Sequence, residues 1–415
     1  MPFKTIGLND HIVRGVTKVG YSSPTPIQAK AIPLAIKGLD IIGCAQTGTG
    51  KTAAFVLPIL HKLSEADNLK NSKKIQPQAL VLTPTRELAV QIDKCIEQYG
   101  SHLNLRTLAV YGGINIHRQI KSLKRGVDII VSTPGRLIDH LGRNTIDLRN
   151  INTLVVDEAD RMFDMGFIKD VRKILAALPK KRQTMLFSAT MSPEVKALAG
   201  DIMKSPEVIQ IGKARNPVET VQQHVYPVEK QQKLELLLHL LENQSIYSAL
   251  IFSRTKHGAD KICRKLSVNG VNSVAIHSDR SQGQRQRALN GFKNGKYQVM
   301  VATDIAARGI DVEGLSHVIN YDVPAYPEDY IHRIGRTGRA EATGDAITFV
   351  SSDEAGSLTK IEKFINRRLD AKTIDGFNYI QPPEQKRGIR KASGSAPRSS
   401  GGRRRKPTSR RRGVH

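Results

Sequence analysis

The chain has 415 residues and a formal net charge of +26 at pH 7, which predicts two or three domains and a polyanionic partner, most simply nucleic acid. Its three cysteines, Cys44, Cys95 and Cys263, stand far apart, which excludes a disulfide framework and a cysteine zinc cluster and fits a reducing compartment. No stretch approaches the ~18 apolar residues of a membrane span, so we expect a soluble, cytoplasmic protein without membrane contact.

Short apolar and β-branched runs alternate with helical stretches along the chain. The first series of predicted strands comprises Ile41–Ile42, Ala79–Leu82, Val127–Val131, Thr153–Val156 and Thr184–Phe187. The second series comprises Ala249–Phe252, Ser273–Ile276, Gln298–Val301, His317–Asn320 and Ala346–Val350. Nearly continuous apolar strands separated by helices are typical of parallel sheets covered on both faces, so the two series predict two α/β domains.

Changes of composition divide the chain around these two series. We expect a first domain at residues 1–211, a linker without clear periodicity at 212–221, and a second domain at 222–370. The remaining residues, 371–415, form a predicted tail. From Gln385 onward it has 12 basic residues, no acidic residue and too little apolar surface to offset the entropy of ordering, so we expect it to be disordered.

The loop after the first predicted strand has the sequence A-Q-T-G-T-G-K-T and precedes an apolar helix. This is the pattern of a phosphate-binding loop, with Ala45 in place of the usual first glycine. Gly48 and Gly50 let backbone N–H groups face the phosphates, and the helix start adds a favourable dipole. Lys51 is placed to reach the β- and γ-phosphates, and the Thr52 hydroxyl to ligate Mg²⁺. A chance Gly/Thr-rich loop is the alternative, which the flanking strand and helix disfavour.

Acidic residues follow a later strand of the same series, at Asp157–Asp160. Alone, such a tetrapeptide is usually a solvated turn, but ligands of open parallel sheets bind beyond the carboxyl ends of the strands. Downstream of a phosphate loop, Asp157 is therefore expected to hold Mg²⁺ through water, and Glu158 to orient and deprotonate an attacking water. The segment Ser188–Thr190 follows the next strand and is a candidate coupler between the two loops.

The second half contains no similar phosphate loop, but it contains an arginine-rich segment from Tyr330 to Arg339. Arg336 and Arg339 are spaced to lie about one helical turn apart. Arginines brought to a nucleotide from a separate domain can stabilise charge on a transferring phosphoryl group. A basic surface helix is the alternative interpretation.

Together these residues resemble the DEAD-box RNA helicase family of helicase superfamily two, which is named after the motif at Asp157–Asp160. The other motifs occur in family order, and the resemblance covers about residues 3–365. It implies two tandem RecA-like α/β domains followed by a disordered basic tail. The compact core and short basic tail look most like the bacterial RhlE-type branch.

The resemblance implies roles in ATP binding residue by residue. Gln28 would read adenine with Phe3 packing nearby, and Asp311 would hold the ribose. Arg336 and Arg339 would be arginine fingers. The phosphate loop would contribute Gln46, Thr47, Gly48, Thr49, Gly50, Lys51 and Thr52. The expected cofactors are ATP and Mg²⁺.

The resemblance also implies a coupling set and an RNA surface. His332 would join Asp160, Ser188 and Thr190 across the cleft between the domains and link hydrolysis to RNA binding. The expected RNA contacts are Pro84, Thr85, Arg86, Gly112, Gly113, Thr133, Pro134, Gly135, Arg136, Arg254, Arg285, Thr303 and Asp304. Backbone amides, hydroxyls and arginines suit phosphates and 2′-hydroxyls, so binding should be nearly independent of sequence.

The implied function is RNA-stimulated ATP hydrolysis coupled to local, non-processive unwinding of RNA duplexes. Expected partners are duplex and single-stranded RNA, with ribosomal particles or RNA-decay proteins as further candidates. A DNA helicase is an alternative, against which the RNA-type motifs argue. A non-enzymatic RNA annealer is another, against which the complete set of Lys51, Glu158, Arg336 and Arg339 argues, although the tail alone could anneal strands.

Removal of residues 385–415 should weaken RNA binding most strongly at low salt, because a salt-sensitive and nonspecific tether is lost. The ATPase rate at saturating RNA should remain close to that of the full chain. RNA affinity over a salt series, measured beside RNA-dependent ATPase activity, tests this. Loss of ATPase activity at saturating RNA would contradict the tether interpretation.

Overall fold

The structure is a computed structural model, and it describes residues 2–45, 48–67, 76–211, 221–243, 246–307, 312, 315–337 and 344–380. These residues form two seven-stranded sheets in which all neighbouring strands are parallel. The two α/β domains predicted from the apolar runs are therefore confirmed. Within the described residues, no helix is long and apolar enough to cross a membrane.

The first sheet has the strand order β3-β4-β2-β5-β6-β1-β7. Its strands are β1 (Ile41–Cys44), β2 (Ala79–Leu82), β3 (Thr107–Val110), β4 (Ile129–Ser132), β5 (Thr153–Val156), β6 (Gln183–Ser188) and β7 (Glu207–Gln210). The helices of this domain are α1 (Asp10–Lys18), α2 (Pro26–Ile36), α3 (Lys51–Asp67), α4 (Arg86–Tyr99), α5 (Ile116–Lys124), α6 (Pro134–Gly142), α7 (Ala159–Asp164), α8 (Ile168–Ala176) and α9 (Pro193–Ile202).

The second sheet has the strand order β10-β11-β9-β12-β13-β8-β14. Its strands are β8 (Val221–Pro227), β9 (Ala249–Phe252), β10 (Ser273–Ile276), β11 (Val299–Ala302), β12 (His317–Asn320), β13 (Gly344–Val350) and β14 (Asp370–Ala371). The helices are α10 (Lys233–Asn243), α11 (Lys256–Val268), α12 (Gln282–Lys293), α13 (Asp304–Ala307), α14 (Pro327–Ile334) and α15 (Ala355–Phe364).

The two domains repeat one topology. Each strand of the second sheet occupies the position that the strand seven places earlier holds in the first sheet. Corresponding loops can therefore be paired: the loop after β1 with that after β8, and the loop after β5 with that after β12. This correspondence matters for the site, because only one of the two domains carries a phosphate loop.

Both faces of each sheet are buried, which explains the continuous apolar strands. Along β2, Ala79 and Val81 pack into the core on one face, while Leu80 and Leu82 pack into the core on the other. Successive side chains of a strand point to opposite faces, so a strand covered on both sides needs an apolar residue at every position. A period-two pattern is therefore absent from the central strands.

Four strands do not appear among the predicted ones: β3, β7, β8 and β14. β3, β7 and β14 lie at sheet edges, where one side is exposed and polar residues such as Glu207 and Gln210 are tolerated. β8 is internal, but it contains Gln223, which is buried and accepts a hydrogen bond from the Tyr330 hydroxyl at 3.0 Å. A satisfied buried polar residue breaks the apolar run without breaking the strand.

The first residues of the predicted tail differ from the expected disorder. Ala371 pairs with Val225 at the edge of the second sheet, and the Phe377 ring is 9% exposed and lies 4.8 Å from the Tyr379 ring. Gln232 donates to the Asn378 carbonyl oxygen at 2.7 Å and accepts from the Ile380 amide at 2.8 Å. Residues 371–380 therefore belong to the second domain. Residues 381–415 lie outside the described part of the chain.

The Phe377→Ala substitution should destabilise the second domain, because it removes a mostly buried ring from the packing between this segment and α10. The expected loss is about 2–4 kcal/mol of the free energy of unfolding. Chemical denaturation followed by circular dichroism measures it, with Ile380→Ala, at an exposed side chain, as the matched control. Equal stability of the Phe377→Ala variant and the parent chain would show that the segment is not part of the folded domain.

Candidate functional site

The predicted ATP-binding loops meet at one edge of the first sheet. Strands β5, β6 and β1 are neighbours, so the loops that follow their carboxyl ends lie side by side. Open parallel sheets bind ligands beyond this edge. The contacts within these three loops therefore determine what the site can hold.

The loop between β1 and α3 has the backbone and the charge of a phosphate site. Gly48 and Gly50 have φ angles of 82° and 90°, in the left-handed region that glycine enters without strain. Lys51, the first residue of α3, is buried, and its amine donates to the Ala45 carbonyl oxygen at 2.6 Å. The half-buried Thr49 lies between the glycines. The lysine amine thus faces back into the loop, where it can meet a phosphate.

Gln28, which is predicted to read adenine, joins α2 to the phosphate loop. Its side-chain oxygen accepts from the Thr25 amide at 3.0 Å, and its Nε2 donates to the Gly50 carbonyl oxygen at 3.1 Å. A β-carbon on residue 50 would lie 2.3 Å from that nitrogen, so this contact requires glycine. Phe3 is buried in the core of the first domain. The Gln28 amide therefore connects the start of α2 directly to the phosphate loop.

Asp157 is a buried carboxylate at the end of β5. Burial, and secondarily the charge of Glu158, raises the pKa of Asp157 to about 7, while the Lys51 amine acts in the opposite direction. A buried carboxylate is costly unless a cation compensates it, and Mg²⁺ prefers oxygen ligands. The Asp157 carboxylate and the Thr52 hydroxyl are oxygen donors of the kind that fits Mg²⁺.

Glu158 has a strained backbone and a fixed side chain. Its φ and ψ are 52° and 51°, a left-handed conformation that costs a non-glycine residue roughly 1–3 kcal/mol. Its amide donates to Asp157 Oδ1 at 3.0 Å, and its Oε2 accepts from Arg161 Nη1 at 2.9 Å. Arg161 was not among the predicted site residues, although its i,i+3 spacing from Glu158 at a helix start is a recognisable signal of an ion pair.

Asp160 connects the acidic loop to the segment after β6. Its Oδ2 accepts from the Ala189 amide at 3.0 Å, the Thr190 amide at 2.9 Å and the Thr190 hydroxyl at 3.1 Å. Its own amide donates to Ser188 Oγ at 3.3 Å. The structure therefore brings together three of the four residues predicted to couple the domains.

The fourth, His332, lies on the second domain. Together with Arg333 and Arg336 it lines a small cavity that Arg161 of the first domain also lines. Burial, and secondarily the charge of Arg161, lowers the pKa of His332, while Asp160 is among the acids that act in the opposite direction. His332 is therefore neutral at pH 7 and lies within electrostatic range of the Asp160 carboxylate.

Several predicted ATP-site residues lie outside the described part of the chain. These are Gln46, Thr47, Asp311 and Arg339. Arg336 is described and is 5% exposed, with its Nη2 3.4 Å from the Ala307 carbonyl oxygen. Of the two predicted arginine fingers, one is thus placed at the cleft.

The domains also contact each other away from the nucleotide loops. Glu87 on α4 lies in a segment predicted to contact RNA, but no role was predicted for Glu87 itself. Its Oε1 accepts from Gln282 Nε2 at 3.1 Å and lies 2.9 Å from Arg285 Nε. Arg285 is predicted to contact RNA, but its guanidinium is buried at this interface. Arg285 thus stabilises the contact between the two domains.

Other predicted RNA contacts lie together on the first domain, around the exposed side chain of Arg86. Arg86 is exposed, and its Nη1 lies so close to Gly113 that a β-carbon there would be 2.3 Å away. Thr85 caps α4 by accepting from the Leu88 amide at 3.3 Å. Gly112 lies against the same guanidinium. These loops offer charge and backbone amides at one surface.

The loop after β4 continues this surface. Thr133 and Pro134 are buried at the start of α6, whereas Gly135 is exposed and has no described atom within 4 Å of a β-carbon position. Pro84 is buried before α4 in the corresponding position of its own loop. The main chain at Gly135 is therefore accessible to the backbone of a bound nucleic-acid strand.

Two of the predicted RNA-binding side chains are instead engaged within the protein. Arg136 donates to the Ile114 carbonyl oxygen from both terminal nitrogens at 3.2 Å. Asp304 accepts from Arg333 at 2.6 Å and 2.7 Å in a two-point ion pair. Thr303 is half-buried before α13. Arg254 differs from these, because its side chain remains 54% exposed while it pairs with Glu354 at 2.7 Å.

The second domain has a lysine at the position equivalent to Lys51. Lys233 is the first residue of α10, the helix that follows β8, and is 1% exposed. Its amine donates to Glu354 Oε2 at 2.5 Å and to the Tyr321 carbonyl oxygen at 2.8 Å. The Glu354 carboxylate thus neutralises the positive charge of Lys233. In the first domain, the equivalent charge of Lys51 is placed to meet a phosphate. The Lys233 amine is therefore already paired within its own domain.

The chain has two RecA-like domains. One carries a phosphate loop and paired acids, and the other carries a histidine and arginines at the facing edge. This combination defines a two-domain ATPase of the helicase type. The DEAD/DEAH box helicase family matches residues 25–198, and the helicase conserved C-terminal domain matches residues 232–341. The chain belongs to the DEAD-box family of ATP-dependent RNA helicases.

Curated relatives agree with this assignment. The chain is 44% identical over 368 residues to the DEAD-box ATP-dependent RNA helicase CshA of Geobacillus kaustophilus, covering 89% of this chain and 77% of that protein. It is 46% identical over 367 residues to CshA of Listeria monocytogenes, covering 88% of this chain and 69% of that protein. These relatives do not support the predicted RhlE-type branch.

Solved structures bear on the arrangement of the domains. Dbp5 of S. cerevisiae bound to RNA and ADP BeF3 is similar with a TM-score of 0.75 at 31% identity, covering 89% of this chain and 95% of that chain. A variant of the same protein bound to Nup159, Gle1, IP6 and ADP has a TM-score of 0.58 at 29% identity, covering 89% and 96%. Over both domains together, this chain therefore superposes better on the RNA-bound form than on that complex.

The Asp157→Asn substitution should stabilise the nucleotide-free protein above neutral pH, although it should abolish ATP hydrolysis. The folded pKa of about 7 exceeds the ordinary value of 3.8, so the folded state binds its proton more tightly and stability falls as pH rises from about 4 to about 7. The amide removes that cost, by roughly 1–3 kcal/mol at pH 8 and by little at pH 4.

Thermal melts between pH 4 and pH 8 in EDTA measure this effect. The substitution Asp201→Asn at an exposed carboxylate serves as the control. If the Asp157→Asn variant is less stable than the parent chain at pH 8, the interpretation that Asp157 is an uncompensated buried charge is wrong.

Proposed function

We propose that this protein hydrolyses ATP in a site split between its two domains and uses closure of the cleft to remodel RNA. The observation that carries the proposal is the cavity shared by Arg161, His332 and Arg336, because Arg161 also pairs with Glu158. The acids of one domain and the cations of the other therefore adjoin the same small space. Glu158 belongs to the first domain and Arg336 to the second, so the site needs both domains.

The first domain would bind and orient ATP. Backbone amides of the phosphate loop and the Lys51 amine suit the phosphates, and Gln28 suits the adenine because its amide lies at the edge of the same loop. Asp157 and Thr52 would hold Mg²⁺, which when bound supplies positive charge to the phosphates. Glu158 would accept the proton of the attacking water, with its carboxylate oriented by Arg161.

The second domain would complete the site only when the cleft is closed. Arg336 is buried at the cleft and would supply positive charge to the transferring phosphoryl group, with Arg339 as the second arginine finger. His332 and Asp160 would report the state of one domain to the other, since Asp160 is bonded to Thr190. ATP and RNA would both favour the closed form, so each should raise the affinity for the other.

RNA would lie along the exposed loops of both domains. Arg86 and the loop at Gly112 and Gly113 offer charge and amides on the first domain, and Arg254 offers a half-exposed guanidinium on the second. Such groups recognise phosphates rather than bases, which supports binding without sequence preference. Closure around a bent strand would separate a short duplex locally, without tracking along it.

The cellular setting follows from the same features. The three cysteines, all in the described part of the chain, form no disulfide, which supports a reducing compartment and hence the cytoplasm. Ribosomal particles and RNA-decay complexes are the candidate partners. The basic segment after residue 384 would add nonspecific affinity for structured RNA.

The Glu158→Gln substitution should reduce the ATPase rate by at least about 100-fold, because an amide cannot accept the proton of the attacking water. ATP-dependent RNA binding should be retained, since the side chain keeps its size and an acceptor for Arg161. Steady-state ATPase assays and RNA anisotropy with and without ATP measure the two effects. Glu235→Gln, at an exposed position on α10, is the control. ATPase activity like that of the parent chain would reject Glu158 as the base.

A further inference from the structure

A buried glutamine joins the two loops that offer backbone amides to RNA. Gln119 on α5 is 2% exposed. Its Nε2 donates to the Tyr111 carbonyl oxygen at 3.1 Å, and its Oε1 accepts from Arg136 Nη1 at 2.8 Å and from His140 Nε2 at 3.0 Å. We call Gln119, Arg136 and His140 the Gln119 network. Gln119 was not predicted to have a role, because its neighbours in sequence belong to no recognised motif.

Each member of the Gln119 network points into the protein. Arg136 has a side chain only 13% exposed, and both of its terminal nitrogens donate to the Ile114 carbonyl oxygen at 3.2 Å. His140 is fully buried, and its Nδ1 lies 2.8 Å from the Thr145 hydroxyl. Burial, and secondarily the charge of Arg136, lowers the pKa of His140, so the ring is neutral at pH 7 and donates through Nε2.

The Gln119 network connects the two loops through the interior of the first domain. Tyr111 and Ile114 flank Gly112 and Gly113 in the loop after β3, whereas Arg136 lies in the first turn of α6, directly after the short loop that follows β4. The strands themselves are already paired, with Val110 opposite Ser132. Beyond these strand ends, the distance between the two loops depends on side chains. Gln119 and Arg136 supply hydrogen bonds that fix this distance.

We propose that the Gln119 network sets the spacing of these two loops for adjacent phosphates of one RNA strand, and that Arg136 is a positioning residue rather than an RNA contact. This rests on the proposed function, in which the loops bind RNA. Backbone amides cannot reach for a ligand as a long side chain can, so their relative placement must be built into the fold. A buried, fully hydrogen-bonded amide provides such placement.

The Gln119→Met substitution tests the proposal, because methionine keeps the length but makes no comparable hydrogen bonds. The RNA concentration for half-maximal ATPase activity should rise about 3- to 10-fold, corresponding to the loss of one or two net hydrogen bonds. The KM for ATP at saturating RNA should stay unchanged. Gln98→Met, at an exposed position on α4 of the same domain, is the matched control. Unchanged RNA dependence in a folded Gln119→Met variant would overturn the proposal.

Arg136→Met and the double variant Gln119→Met/Arg136→Met separate positioning from contact. If Arg136 acts through the network, the double variant should bind RNA no more weakly than the weaker single variant. The slope of log affinity against log salt should also be retained in Arg136→Met, whereas Arg86→Met should lower it by about 0.7, the loss of one phosphate contact to a single strand. Multiplied losses together with a reduced slope in Arg136→Met would show that Arg136 contacts RNA and would overturn its assignment.

Two further readouts keep the outcomes distinct. Binding of a fluorescent ATP analogue to each variant reports whether the first domain is folded, since the phosphate loop lies in the same domain. Variants that lose nucleotide binding as well as RNA binding would show that the network only maintains the fold, and would overturn the positioning role. If Arg86→Met leaves both affinity and slope unchanged while the parent chain binds RNA, the proposed RNA surface itself is misplaced.

Discussion

The candidate site depends on one constraint, which is that all strands of each sheet run parallel in a fixed order. Parallel pairing places every carboxyl end at the same edge, so loops far apart in sequence become neighbours. The phosphate loop after β1, the acidic loop after β5 and the Ser188–Thr190 segment after β6 meet for this reason alone. Asp160 can then accept three hydrogen bonds from Ala189 and Thr190. The chemistry thus follows from topology before any individual side chain is considered.

The repeated topology also shows how one domain becomes a nucleotide site and the other a partner for it. Lys51 and Lys233 occupy equivalent helix starts, and both amines are buried. A buried ammonium needs a compensating anion. In the second domain Glu354 provides it internally, and the same carboxylate also pairs with Arg254. In the first domain the Lys51 amine instead donates to the Ala45 carbonyl oxygen, a neutral partner, and acts on Asp157 through its charge.

The core of the fold was easier to predict from the sequence than its edges and its surface contacts. The central strands were predictable because burial on both faces demands apolar residues throughout, as Ala79–Leu82 and Ala249–Phe252 illustrate. Edge strands and β8 were not, since exposure or an internal partner such as Tyr330 relaxes that demand. The motif residues of the ATP loops were predictable from chemistry and order. Glu87 and Arg161 were not, because their roles depend on partners that only the folded chain brings near.

For the arginines, residue type and motif alone do not predict what the side chain binds. An arginine in a nucleic-acid motif suggests a phosphate contact, yet Arg86, Arg136 and Arg285 differ in burial and in what they bind. A guanidinium has five donors in a fixed fork, so it serves equally well as an internal clamp between backbone segments. Its surroundings decide between these uses: a carboxylate at Arg285 joins two domains, and carbonyl oxygens at Arg136 join two loops. Net charge therefore overstates the number of groups available to RNA, and the exposed guanidinium of Arg86 is a better guide to the binding surface than the motif that contains it.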